Sequence, residues 1–388
     1  MSRRRGVQGR GLVGAALLAV VLAGCGSDGY QPAGPFRPVP EGPPPEVAPP
    51  TQTPQVPSPG DPAQPNAGEQ AGDPNVVASG LTVPTGLVVL PDGSAVVGER
   101  DSGRLLQVFP DRSPVRELMT VPGVDGTGDG GLLGLALSPT FVEDGLLYAY
   151  VSTSTDNRVV RFPLGGTPNP VLPGIPRGQT HNGGGLAFDL DGTLFVGTGD
   201  TGDPALAQDP ASLAGKVLHV DVFGQPVEDG GPVYSRGHSD VTALCLGGDE
   251  SLFATDDSAA GADELDAVSE GGDHGWPAPG PDSAAPVVDF PAAEGGLGGC
   301  AVSGHTVYLG ALDGQRVHVV QLDGAGAVAV EPTSFLDGRY GRLRTVVVDP
   351  DGALWITTSN RDGVGTPAED DDRVLRILPP GGASDSPL

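Results

Sequence analysis

The feature that most constrains this 388-residue chain is a unit that returns about every fifty residues. An apolar strand runs into an Asp-Gly turn and out into a second strand that is apolar or aromatic. Clear copies are LVVLPDGSAVVGER (87–100), LAFDLDGTLFVGTGD (186–200) and VVVDPDGALWITTSN (346–360). Weaker copies are LALSPTFVEDGLLYAYVST (135–153), TALCLGGDESLFATDD (242–257) and CAVSGHTVYLGAL (300–312). The turns fall near Asp92, Asp144, Asp191, Asp249, Gly304 and Asp351, at successive spacings of 52, 47, 58, 55 and 47. Asp-Gly between apolar runs is a hairpin signal. A third strand follows several copies, as in GRLLQVF (103–109), NRVVRF (157–162) and KVLHVDV (216–222). One such unit cannot bury both of its faces, so six of them stack around an axis. The expected fold is all-β, a six-bladed β-propeller over residues 75–380. RVLRILP (373–379) is expected to close the ring against the chain near Asn75–Leu81. A β-sandwich is the rival, and a constant period along the whole domain argues against it.

The first 74 residues do not share this texture. Arg3, Arg4, Arg5 and Arg10 precede an apolar run, Gly11–Ala23, that falls short of the ~20 residues a membrane-spanning helix needs. A basic segment, a short apolar segment and small residues before a cut site make a secretory signal, here residues 1–24. Leu22-Ala23-Gly24-Cys25 resembles the lipobox of bacterial lipoproteins, which implies a lipid on Cys25 and anchoring to the outer face of the cell membrane. The following stretch to residue 74 is rich in Pro and poor in apolar groups. Such chain cannot offset its ordering entropy and serves as a semi-rigid spacer. Residues 381–388 read as a disordered tail.

The formal charge is −28, and losing the four leader arginines makes it more negative still. That balance makes nucleic acid and anionic lipid poor partners; it reads first as solubility, with divalent cations an easy further partner. Apart from Cys25, the cysteines are Cys245 and Cys300. Export permits a bridge between them; two separate buried thiols are the alternative. His181 stands before three glycines, Gly183–Gly185, that let backbone approach a ligand closely. Histidine is the usual base near neutral pH, although, taken alone, a histidine beside glycines is more often a structural turn residue than a catalyst. His219, His238, His274, His305 and His318 are dispersed and form no zinc motif. Asp189-x-Asp191-Gly192 reads as a hairpin turn, Glu369–Asp372 as a solvated loop and Trp276 as a packing residue.

Six stretches, taken together, resemble one family. They are GGLLGLALSPTF (130–141), THNGGGLAFDLDGTLFVGTGD (180–200), LAGKVLHVDV (213–222), YSRGHSDVTAL (234–244), ATDDSAAGADELDAVSEGGDHGWP (254–277) and GRLRTVVVDPDGALWITTSN (341–360). They look like the sugar dehydrogenases dependent on pyrroloquinoline quinone (PQQ), of glucose/sorbosone dehydrogenase type. The resemblance covers most of residues 80–378 and implies a six-bladed propeller that oxidises a sugar or polyol. It implies His181 as the base that takes the hydroxyl proton. It implies Arg342, Arg344 and Asn182 at the cofactor, whose three carboxylates suit guanidinium forks. Backbone carbonyls of Ser258 and Ala259 would hold a Ca²⁺ ion, and electrons would pass to a membrane acceptor.

The chain also departs from that pattern. The family's G-H-R-N-P is here Gly237-His238-Ser239-Asp240-Val241, and its Lys after G-A-L is here Asp313. Two acids near a trianion oppose its binding by ~1–4 kcal/mol for each close pair. The second expectation is therefore a non-catalytic propeller lipoprotein that binds a glycan or protein at the cell envelope. A metal-dependent lactonase on the same fold is a third; the scattered acids pick out no axial metal site for it.

Overall fold

The computed structural model describes residues 72–258 and 261–380. The expected signal segment, Cys25, nearly all of the expected Pro-rich spacer, Ala259 and the expected C-terminal tail lie outside them. Among the described residues the chain forms six sheets, antiparallel except where Gly272–Asp273 joins the edge of one of them in parallel. Their innermost strands are Pro84–Val89, Leu132–Leu137, Leu186–Phe188, Val241–Leu246, Leu297–Ser303 and Leu343–Val348. Each hairpin turn read from the sequence joins an innermost strand to the second strand of the same blade. The architecture is the six-bladed propeller, not the sandwich.

The ring closes as expected. Val76–Ala78 adds to the outer edge of the last blade beside Val374–Ile377, with Val76 opposite Leu375 and Ala78 opposite Val374. A second tie corrects the sequence reading of residues 369–372. Asp372 is buried rather than solvated, and its carboxylate accepts from the N–H groups of Val83 (3.0 Å) and Asn360 (2.6 Å). The first and last blades are thus joined by both strand pairing and a buried carboxylate.

Alternation along the strands explains why the blades stack. Each blade presents one apolar face to each neighbour, and the described residues form six hydrophobic clusters, one at each contact between blades. Leu105 and Leu147 fill the first contact, Tyr148 and Leu218 the second, and Trp355 with Val97 the closing one. Burying one such side chain contributes roughly 1.5–3 kcal/mol. Cys245 and Cys300, on adjacent innermost strands, are joined by a disulfide with 5.8 Å between their Cα atoms. The bridge closes a 55-residue separation, which on loop entropy alone stabilises by about 4 kcal/mol.

Near the axis the backbones crowd, and glycine is required. A Cβ on Gly134 would stand 1.9 Å from the carbonyl oxygen of Gly184. The innermost strands leave an axial channel of about 90 Å³, to which all six blades contribute.

Candidate functional site

At one end of this channel lies a polar cavity of about 160 Å³. Arg100, Arg342 and Arg344 line it together with Asp129, Asp240, Asp257 and Asp362. It shares Leu133, Gly183, Thr242, Gly298 and Arg344 with the channel wall, so the cavity is the channel's mouth.

The loop before the third blade carries His181 to the edge of this mouth. His181 has φ +52°, the left-handed region that non-glycine residues seldom adopt. Its carbonyl accepts from the Thr201 N–H at 3.0 Å. Gly199 makes room for it, since a Cβ there would lie 2.1 Å from the same oxygen. The imidazole Nδ1 faces Asp200 Oδ1 at 2.8 Å, and the other oxygen of Asp200 accepts from the Trp276 indole N–H at 2.9 Å. Trp276 therefore positions a carboxylate, which corrects its reading as packing alone. It arrives by way of Gly272–Asp273, which adds in parallel to Val233–Arg236 at the outer edge of the third blade. With Nδ1 held, Nε2 is the nitrogen left for a substrate. Asp200 raises the His181 pKa to about 9, against the opposing effect of burial and with help from Asp240 and Asp257.

Asn182 is buried and makes its contacts inward. Its side-chain oxygen accepts from Gly178 N–H and Asn157 Nδ2, both at 3.0 Å, and its own Nδ2 donates to Gly178 O at 3.1 Å. Tyr150 O–H donates to its carbonyl at 2.8 Å. The Asn182 side chain thus shapes the His181 loop, and the residue meets the mouth without offering a free amide.

The two arginines differ. Arg342 Nε donates to Asp362 at 2.7 Å, and its Nη1 contacts Asp313 closely. Arg344 is only partly exposed and, among the described residues, its guanidinium has no hydrogen-bond partner. Burial and the nearby Arg100 charge hold its pKa below the ordinary arginine value. The acids respond in the opposite sense. Burial raises Asp240 to about 7, with Asp256 and Asp129 adding to the effect, while its Oδ1 accepts from Gly183 N–H at 2.7 Å. Asp257 is raised by burial and by its neighbours Asp263 and Asp240. The mouth therefore holds a cation without a partner among the described residues, beside carboxylates pressed together. It suits a ligand that brings anionic groups to Arg344 and a cation to Asp240 and Asp257.

The departures noted in the sequence take specific places. Asp313 lies half-exposed against Arg342 rather than on the wall of the mouth. Ser239 turns away to a separate side cavity of about 300 Å³, shared with Ser258. Ser258 N–H donates to Asp263 Oδ1 at 3.0 Å. Asp200, Asp257 and Arg100 escaped the sequence reading; the one signal for Asp200 was an acid closing V-G-T-G-D just past a strand.

Comparison with known proteins agrees with the fold. The family model for glucose/sorbosone dehydrogenases matches residues 81–282 and 302–366. An aldose sugar dehydrogenase from Streptomyces coelicolor, solved in its PQQ-bound form, is 40% identical; the match covers 78% of this chain and 96% of that one, with a TM-score of 0.75. Quinoprotein glucose dehydrogenase B of Acinetobacter calcoaceticus is 26% identical over 251 residues, 53% of this chain and 52% of that protein. The chain thus spans about half the length of that relative. An aldose sugar dehydrogenase of Escherichia coli is 24% identical over 74% of this chain and 90% of its own length. By the extent of the family match and this similarity, the chain belongs to the glucose/sorbosone dehydrogenase family.

Proposed function

We propose that this chain is a sugar oxidoreductase that takes its electrons into PQQ at the mouth of the propeller, with Ca²⁺ beside the cofactor. One observation carries the reading. The His181–Asp200–Trp276 chain ends at a mouth where Arg344 has no partner among the described residues. An oriented imidazole that shares the acids Asp240 and Asp257 with this guanidinium suits proton abstraction near a bound carboxylate.

The residues fit the cofactor. Arg344, with Arg100 behind it, would hold a carboxylate of PQQ. Asp240 and Asp257, whose raised pKa values favour a proton or a cation, give an electrostatic setting for Ca²⁺ near Ser258. When bound, PQQ supplies a hydride acceptor and Ca²⁺ polarises it. The chain's own part is to orient the sugar hydroxyl, receive its proton on His181 Nε2, and hold the resulting imidazolium on Asp200. The acid at position 313, which in sequence favoured a binding module without catalysis, lies against Arg342 and leaves Arg344 unobstructed. Turnover of aldoses with an artificial electron-accepting dye tests the reading. Activity should require both PQQ and Ca²⁺. Equal activity without PQQ, or none at saturating amounts of both, counts against it.

The same proposal places the enzyme outside the cytoplasmic membrane, on a lipid at Cys25 and the Pro-rich spacer, with electrons passing to a membrane acceptor. The disulfide suits an oxidising compartment. Metabolic labelling with a fatty acid should mark the wild type and not Cys25→Ser; equal labelling of the two would rule out the anchor.

A further inference from the structure

Two histidines that are far apart along the chain meet in the fold. His238 precedes the innermost strand of the fourth blade, and Asp266 lies on that blade's third strand, Ala262–Val268. His274 follows Gly272–Asp273 at the edge of the third blade. All three are buried, and one donor atom from each lies within 4.8 Å of the others. Asp266 Oδ2 is 3.2 Å from His274 Nδ1 and 3.6 Å from His238 Nδ1.

The polar atoms here lack the partners that burial demands. His238 Nδ1, both carboxylate oxygens of Asp266 and both ring nitrogens of His274 make no well-formed hydrogen bond among the described residues. A buried polar atom left without a partner destabilises the fold. The outer contacts are in order. Ser235 Oγ engages His238 Nε2 at 2.8 Å, which directs Nδ1 toward Asp266. Asp256, 3.3 Å from the same Nδ1, is already occupied by the Ser239 and Asp240 N–H groups.

From this convergence we infer that His238, Asp266 and His274 form a binding site for one divalent transition-metal ion of the Zn²⁺ class. Ligands about 2.1 Å from a common tetrahedral ion stand roughly 3.4 Å apart, between the two N···O separations observed. Two imidazoles and one carboxylate select such a metal over Ca²⁺, which takes oxygen ligands. The side cavity of about 300 Å³ touches His274, Asp256 and Glu264 and gives a path inward. A metal there staples the fourth blade to the segment that carries Trp276 to Asp200. The site is separate from the proposed PQQ site and does not depend on it.

The test uses the full chain, stripped with chelator and titrated with Co²⁺ as a visible probe, then with Zn²⁺ in competition. One Co²⁺ per chain should give a ligand-field spectrum that Zn²⁺ abolishes and Ca²⁺ leaves unchanged, and Zn²⁺ should raise the melting temperature. Asp266→Asn and His274→Phe, the latter keeping the ring that stacks on His238, should each weaken binding about tenfold or more while far-UV circular dichroism stays that of the wild type. His181→Ala should bind as the wild type does. No stoichiometric Co²⁺ or Zn²⁺ on folded wild type, or binding unchanged in the folded variants, overturns the proposal and leaves the cluster held by protons alone.

Discussion

His181→Ala, with PQQ and Ca²⁺ supplied, is expected to lower kcat about 10²–10⁴-fold, the range for losing a general base. KM should change little, because the imidazole acts in the transition state rather than in holding the sugar. The pH profile gives a sharper signature. Asp200 holds the His181 pKa at about 9, so roughly one molecule in a hundred has a neutral imidazole at pH 7. The rate should therefore climb about tenfold per pH unit from 7 and level off near 9. Asp200→Asn removes the largest cause of the shift. It should move this limb to lower pH while lowering the plateau, because the ring loses its orientation. A purely structural role for Asp200 would lower the plateau and leave the limb in place. Stability follows the same linkage. A histidine raised above its unfolded value of ~6.5 stabilises the fold fully below that pH, and the contribution fades as pH rises through about 9.

Arg344→Met should weaken PQQ binding by about 10- to 150-fold, the equivalent of ~1.5–3 kcal/mol for a hydrogen bond to a charged group. The apo protein should not suffer, since the guanidinium lies desolvated near Arg100 with no protein hydrogen bond among the described residues. Arg342→Met should cost less in affinity and more in stability. Its guanidinium is held between Asp362 and Asp313, and removing it leaves Asp362 buried without its partner. Equilibrium titration of the two variants, each with its melting temperature, separates these outcomes. Equal affinity losses, or none for Arg344→Met, would contradict the assignment of Arg344 to the cofactor and Arg342 to the fold.

The repeat of strand, Asp-Gly turn and strand made the propeller legible because its period survives in a single sequence. Pairing of Asn75–Leu81 with residues 373–379 followed from the need to close a ring. The His181 loop was legible too, since a histidine before three glycines is a local signal. What stayed hidden depends on chain paths that no local pattern encodes. Trp276 reaches Asp200 only because Gly272–Asp273 pairs across to the third blade. That same crossing brings His274 to His238, two residues that look unrelated along the chain. Asp313 looked like an added charge at the cofactor, yet its partner is Arg342, 29 residues away. Asp372 looked solvated because acids in a row usually are; ring closure buries it on two backbone N–H groups.

The central claim, that the channel mouth is a PQQ site, is tested most directly by titrating PQQ into the Ca²⁺-loaded full chain and following the quinone absorbance. Saturable binding of one PQQ per chain is expected, with a bound spectrum that an aldose then bleaches and that Arg344→Met shifts to higher PQQ concentration. A chain that is folded, loaded with Ca²⁺ and still without a bound quinone spectrum at saturating PQQ would contradict it.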